Sequence, residues 1–152
     1  MNKGGIAALA VALTIAAVVA GCGSGGGTAS LSKAEYIKQA SAVCDKATKQ
    51  AQTEFANFVS ELAKEPKTQQ ANEAAQTEVA NTILIPGKEQ ELEGLKKLDA
   101  PKGDEERVEE ITGALEDGIE ATRKDSGHAV TNSGKTFAKA QVLAAKYGLK
   151  NC

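Results

Sequence analysis

From Leu31 onward, apolar residues return every three or four positions, and this period limits the fold of the 152-residue chain more than any other feature. It predicts a first helix opened by "LSKAEY", where Ser32 and Glu35 form a capping box and Leu31 and Tyr36 are placed for a hydrophobic staple. Its inner stripe runs through Tyr36, Ala40, Val43, Cys44, Ala47, Ala51, Phe55, Phe58 and Leu62, and Pro66 ends it. A second segment starts near Thr68, with Ala71, Ala75, Val79, Ile83, Leu92, Leu95 and Leu98 on its stripe. Pro86 and Gly87 kink it or split it in two. "LDAPKGD" is a loop. A third helix follows with Val108, Ile111, Leu115 and Ile119, and its acidic start suits the positive end of the helix dipole. After the break at "DSGH", a fourth helix uses Val130, Phe137, Ala140, Ala144 and Tyr147, with Lys146 in its last turn and Gly148 to end it. No segment alternates as a strand does. The expectation is an all-α, up-and-down bundle of about four helices over residues 31–152, closely packed because the stripes are rich in alanine.

Composition removes several function classes. Eighteen Lys and Arg against 20 Asp and Glu leave a net charge of -2, which lacks the dense basic surface that a nucleic-acid binder needs. Aromatic residues make up 3% and Trp is absent, so stacking platforms for bases or sugars are not expected.

The first residues read as a processing signal. Met1 to Lys3 is a short positive head, and Ile6 to Ala20 is almost purely apolar. That run is too short to span a hydrocarbon core of ~30 Å as a helix, and it matches the apolar part of an export signal. The run ends in "VAGC", Val19 to Cys22, which resembles the lipobox of bacterial lipoproteins. The resemblance covers the first 22 residues. It implies a signal peptide over 1–21, a diacylglyceryl group on the Cys22 thiol, and cleavage that makes Cys22 the new N-terminus. A cysteine suits that position because its thiolate is the nucleophile that a lipid donor can alkylate. A second reading keeps the export and loses the anchor: Val18 and Ala20 also sit at -3 and -1 of an ordinary cleavage site, and cutting before Gly21 would release a soluble secreted protein. With lipid on Cys22, the glycine-rich stretch of residues 22–30 is a tether whose last eight residues reach roughly 16 Å, and paired acyl chains hold it to the membrane.

Cys44 and Cys152 remain. Two thiols in an exported chain are most simply a disulfide, and this one would pin the C-terminus to the first helix. In the chain-entropy model, closing a loop of ~100 residues is worth up to about 4.7 kcal/mol. The alternative is one buried free thiol and one frayed terminal one. The helix-borne Cys44, the mid-chain "LKKLDAP" and the closing "KYGLKNC" resemble small exported lipoproteins of actinobacterial type. That resemblance supports the pairing and the helical fold, and implies no catalytic residues.

The candidate chemistry is thin. His128 is the sole histidine, so the Glu-x-x-His pairs of a ferritin-like centre cannot be built. Zinc is not expected either, because only two thiols are left and they stand far apart in sequence. Asp125, Ser126 and His128 name the members of a hydrolase triad, but neighbours in one turn do not give triad geometry. Glu105, Glu106, Glu109, Glu110, Glu116, Asp117 and Glu120 could bind cations or a basic partner. With Lys96, Lys97 and Lys102 close by, they read as a solvated face of mixed charge. No cofactor or metal is expected. The function expected is a non-catalytic interaction or binding module of the cell envelope, lipid-anchored through Cys22 at the extracytoplasmic face of the cell membrane. One alternative is a carrier holding an apolar small molecule between its helices. Another is an enzyme built from carboxylates alone, as glycosidases are, which the shortage of aromatics disfavours.

Overall fold

The computed structural model describes residues 30–64 and 70–152, with backbone only at 70–72. The expected signal peptide, Cys22 and Pro66 lie outside the described residues. The rest is the all-α, up-and-down bundle expected, and no strand occurs among the described residues. Its first arm is α1, Lys33–Leu62. The capping box forms: the Glu35 N–H donates to Ser32 Oγ at 3.3 Å, and Ser32 N–H donates to Glu35 Oε2 at 3.1 Å. Leu31 packs against the core that contains Tyr36, as a staple requires.

The second arm is a continuous helical run in three parts: α2 (Gln70–Val79), a π-helical turn (Ala80–Leu84) and α3 (Ile85–Lys96). Pro86 explains the turn. Proline has no N–H to offer the carbonyl one turn back, and its ring crowds that carbonyl. The chain absorbs this just upstream, where Ile85 N–H bonds to Ala80 O, five residues back. The site of the irregularity is as expected from Pro86 and Gly87, and the helical run continues through it without a gap.

α4 (Glu105–Lys124) forms the third arm, and a 3₁₀ turn (Ser126–His128) leads into the fourth. That arm is interrupted, unlike the single helix expected: α5 (Ala129–Thr136) and α6 (Ala138–Tyr147) meet at Phe137. The Phe137 ring is buried against α4 at Gly118, where an ideal Cβ would lie 2.5 Å from it. Only glycine leaves room there, so the ring can dock where the two short helices change course. Ala129, rather than the expected Val130, is the buried residue at the start of α5.

Neighbouring arms run antiparallel. Gly94 of α3 faces Val43 of α1, with its ideal Cβ position 2.6 Å from Val43 Cγ1, and Gly87 faces Ala51. Tyr36, Ala40, Cys44, Leu95, Ile111, Leu115, Ile119 and Ala144 form the centre of the core. The α1 stripe is buried only as far as Ala47, which corrects the expectation that it stays in the core to Leu62. Phe55 and Leu62 are exposed, and so is Val59 beside them. α2 packs on the 3₁₀ turn and α5 instead, and leaves them uncovered among the described residues.

The chain ends as a strap along α1. Gly148, at φ +104°, closes α6 in a left-handed conformation, with Leu149 N–H bonded to Ala144 O at 2.9 Å. Lys150 N–H then donates to Ser41 Oγ at 3.1 Å, Asn151 Nδ2 donates to Asp45 Oδ1 at 2.6 Å, and Thr48 Oγ1 donates to Asn151 O at 3.3 Å. Cys152 is bonded to Cys44, so the expected disulfide is present.

Candidate functional site

The departure of α2 from α1 leaves a groove. Past Ala51 the two arms diverge, and α5 closes the third side. The space is about 360 Å³. Its walls are Ala47, Ala51 and Phe55 of α1, Val79 and Ile83 of the second arm, and Val130 of α5. These are small or branched apolar groups, and Phe55 stands as an exposed rim. Gln76 ties α2 to α5 across the far side: Thr131 N–H and Thr131 Oγ1 both donate to Gln76 Oε1 at 3.3 Å. The groove therefore has braced walls.

Two charged residues of α3 reach the groove floor. Lys88 Nζ donates to Glu91 Oε2 at 2.7 Å, three residues along the same helix. Glu91 is 2% exposed, and Lys88 also lies 5.5 Å from the centre of the Phe137 ring. Beneath the groove, a Glu91 carboxylate oxygen and the sulfurs of Cys44 and Cys152 lie within 4.8 Å of one another. Glu91 is not among the candidates that the sequence singles out. A signal was present: Glu91 stands four residues before Leu95, on the inward face of its helix, where a carboxylate is rare unless paired. Cys44 and Cys152 stand far apart in sequence, yet the bundle brings them into contact, so distance along the chain does not keep their sulfurs from one site. As a disulfide, the two sulfurs offer no thiolate to a metal.

The other sequence candidates do not gather. His128 Nδ1 lies 2.8 Å from Asp125 Oδ1 with both side chains exposed, and no hydrogen bond joins Ser126 to His128. The bond to Asp125 and its charge hold the imidazole pKa above the ordinary histidine value. This is a turn clasp. The acidic residues of α4 lie on its outer face, and three stand in mixed pairs: Glu116 with Lys96, Glu120 with Lys124 at 2.8 Å, and Asp117 with Lys139 at 3.8 Å, while Glu105, Glu106, Glu109 and Glu110 form no ion pair among the described residues. Hydrogen bonding and charge from Lys124 hold the Glu120 carboxyl below its usual range.

At the opposite end of α1 from Phe55 sits a closed polar cluster. Asp104 accepts from Tyr147 Oη at 3.0 Å and pairs with Lys33 at 3.2 Å and Arg107 at 3.1 Å. Lys33 also lies over the Tyr147 ring, and Tyr147 meets Tyr36 edge to face at 5.9 Å. Desolvation acts to raise the Asp104 pKa. The bonds from Tyr147 and Lys33, with the Lys33 and Arg107 charges, outweigh it and hold the carboxyl below its usual range. Burial, reinforced by Asp104, pushes the Tyr147 phenol well above its ordinary value. Every member is engaged with another, so the cluster locks an end of the bundle and leaves the groove as the candidate site.

No described helix is long and apolar enough to cross a membrane. Compared with protein-family models, with curated proteins and with solved structures, the chain matches none.

Proposed function

We propose that the chain is a non-catalytic binding module of the bacterial cell envelope, anchored through lipid on Cys22 at the extracytoplasmic face of the membrane, and that its groove takes one apolar small molecule. The observation that carries the second part is the groove between α1, the π-helical turn and α5. Its volume of about 360 Å³ lies at the lower end of the range for small-molecule pockets, and its walls are mostly apolar, with Thr48, Gln52 and Ser133 beside a single ion pair. Such walls reward an apolar body by removing it from water, at about 25 cal/mol per Å² buried. The expected site residues support the anchor from the other direction: "VAGC" and the glycines after it would leave the domain free to meet a ligand near the membrane surface.

Two measurements test this. An environment-sensitive apolar dye should saturate at one per chain, and Val130→Lys, which places a charge on the wall, should weaken it at least tenfold with unchanged helical circular dichroism. Dye binding that ignores Val130→Lys overturns the groove. Intact-mass analysis of the protein from its native membrane should give a chain beginning at diacylated Cys22. A chain beginning at Gly21 with a free thiol overturns the anchor. A hydrolytic activity abolished by one point substitution would overturn the non-catalytic reading.

A further inference from the structure

A buried carboxylate beside a buried disulfide needs an explanation. Glu91 is 2% exposed and Cys44 fully buried, and Glu91 is the one charged side chain among the buried described residues. Stability does not supply the reason. Removing a carboxylate and its lysine from water carries a desolvation penalty, and apolar replacements of buried pairs are often neutral or stabilising. The neighbours suggest chemistry instead: one carboxylate and two sulfurs, from three separate segments, converge within 4.8 Å.

We propose that, when the Cys44–Cys152 bond is reduced, Cys44, Cys152 and Glu91 form a three-ligand site for a thiophilic divalent cation of the zinc type. The electron balance is that of thiol–disulfide exchange. A dithiol reductant gives two electrons and two protons to the Cys44–Cys152 bond and becomes a disulfide itself, leaving two thiols on the chain. Binding then releases the two thiol protons to water as each sulfur bonds to the cation. Reoxidation by an oxidised dithiol takes two electrons from the thiolates and expels the metal.

Four features fit. The first is spacing. Zinc–sulfur and zinc–oxygen bonds of ~2.3 and ~2.1 Å on a tetrahedron put ligand atoms about 3.6–3.8 Å apart, inside the cluster's present span. The second is persistence. Cys152 is held by more than its sulfur: the strap bonds of Lys150 and Asn151 to Ser41, Asp45 and Thr48, and the buried Leu149, keep it against α1 after reduction. The third is charge. Two thiolates and a carboxylate carry three negative charges, a divalent cation returns two, and Lys88, 2.7 Å from Glu91, balances the last. The fourth is access. Glu91 and Lys88 form part of the groove lining, so a cation and a water in its fourth position have an entry path.

The test uses the full chain, reduced with a phosphine without oxygen and titrated with Co²⁺ and then Zn²⁺. Expected are one Co²⁺ per chain with thiolate charge-transfer absorption, its displacement by Zn²⁺, and no such binding to the oxidised protein. Glu91→Gln should weaken Co²⁺ at least tenfold, and Glu105→Gln, on the exposed face, should leave it unchanged. The oxidised Glu91→Gln protein should keep its helical circular dichroism, which separates ligand loss from misfolding. If that variant loses its helix, Glu91→Asp, which keeps the carboxylate on a shorter arm, should bind Co²⁺ more weakly than wild type and more tightly than a Cys44→Ser/Cys152→Ser chain. The proposal is overturned if the reduced chain binds no more Co²⁺ than that double variant. It is also overturned if a folded Glu91→Gln chain binds as tightly as wild type, if Glu91→Asp matches the double variant, or if reduction unfolds the protein and Zn²⁺ does not restore it.

Discussion

The two halves of α1 have the same kind of sequence and opposite fates. From Tyr36 to Ala47 the inner stripe is buried under α3, α6 and the C-terminal strap. From Phe55 to Leu62 the stripe continues in register, with Phe55 and Leu62 exposed and Phe58 half-buried. At 30 residues the helix is about 45 Å long, and its partner follows it for little more than half that length. Periodicity states which face of a helix is apolar. Whether anything covers that face depends on where the partner chain turns. Here the turn is set by Pro86 and the π-helical residues before it, so a local backbone constraint in one arm decides the exposure of another.

The contrast can be broken most directly at Tyr36. Tyr36→Ala removes a ring that is 1% exposed and stacked edge to face on Tyr147, and should cost about 3–5 kcal/mol in urea unfolding with the disulfide intact. A loss near that of an exposed site would mean that the buried half of α1 is not the anchoring half. The next effect is one of pH. Asp104 has a depressed carboxyl pKa, so it adds stability above its unfolded value and loses that share as pH falls through its folded value. Acid should therefore loosen the Lys33 end of the bundle, and Tyr147→Phe, which removes one of the bonds that depress Asp104, should flatten the acid limb of melting temperature against pH. An unchanged limb would place the acid sensitivity elsewhere. The smallest effect belongs to the uncovered half. Phe55→Ala should change the unfolding free energy by about 1 kcal/mol or less, since the ring is 41% exposed, while weakening dye binding in the groove. A large loss of stability there would show that the groove wall is core.

The parts of the fold governed by local chemistry were legible in the residues. Ser32 and Glu35 announced the start of α1, Gly148 the end of α6, and Pro86 the site of the irregularity. The pairing of Cys44 with Cys152 followed from thiol count and the expectation of export. What could not be read depends on contacts across the bundle. The interruption at Phe137 has no proline to mark it, and the nearest local signal is Gly134, three residues earlier; the room that lets the ring dock lies in α4, at Gly118. The groove exists because two helices part company, and no periodicity in either one records that. Glu91 carried a faint mark, an acid on an inward face, and its relation to the sulfurs needed all three segments in place.

The irregular turn at Ala80–Leu84 has one more consequence. A π-helical turn is an α-helix with one residue too many, and each α-helical residue advances the chain by about 100°. The wide turn absorbs the extra residue locally, so deleting a single codon within it should restore ordinary winding and leave the residues on either side close to the faces they now occupy. Val79 would stay on the groove wall and Gln76 within reach of Thr131, whereas the same deletion in the regular part of α2 would turn everything upstream of it by about 100°.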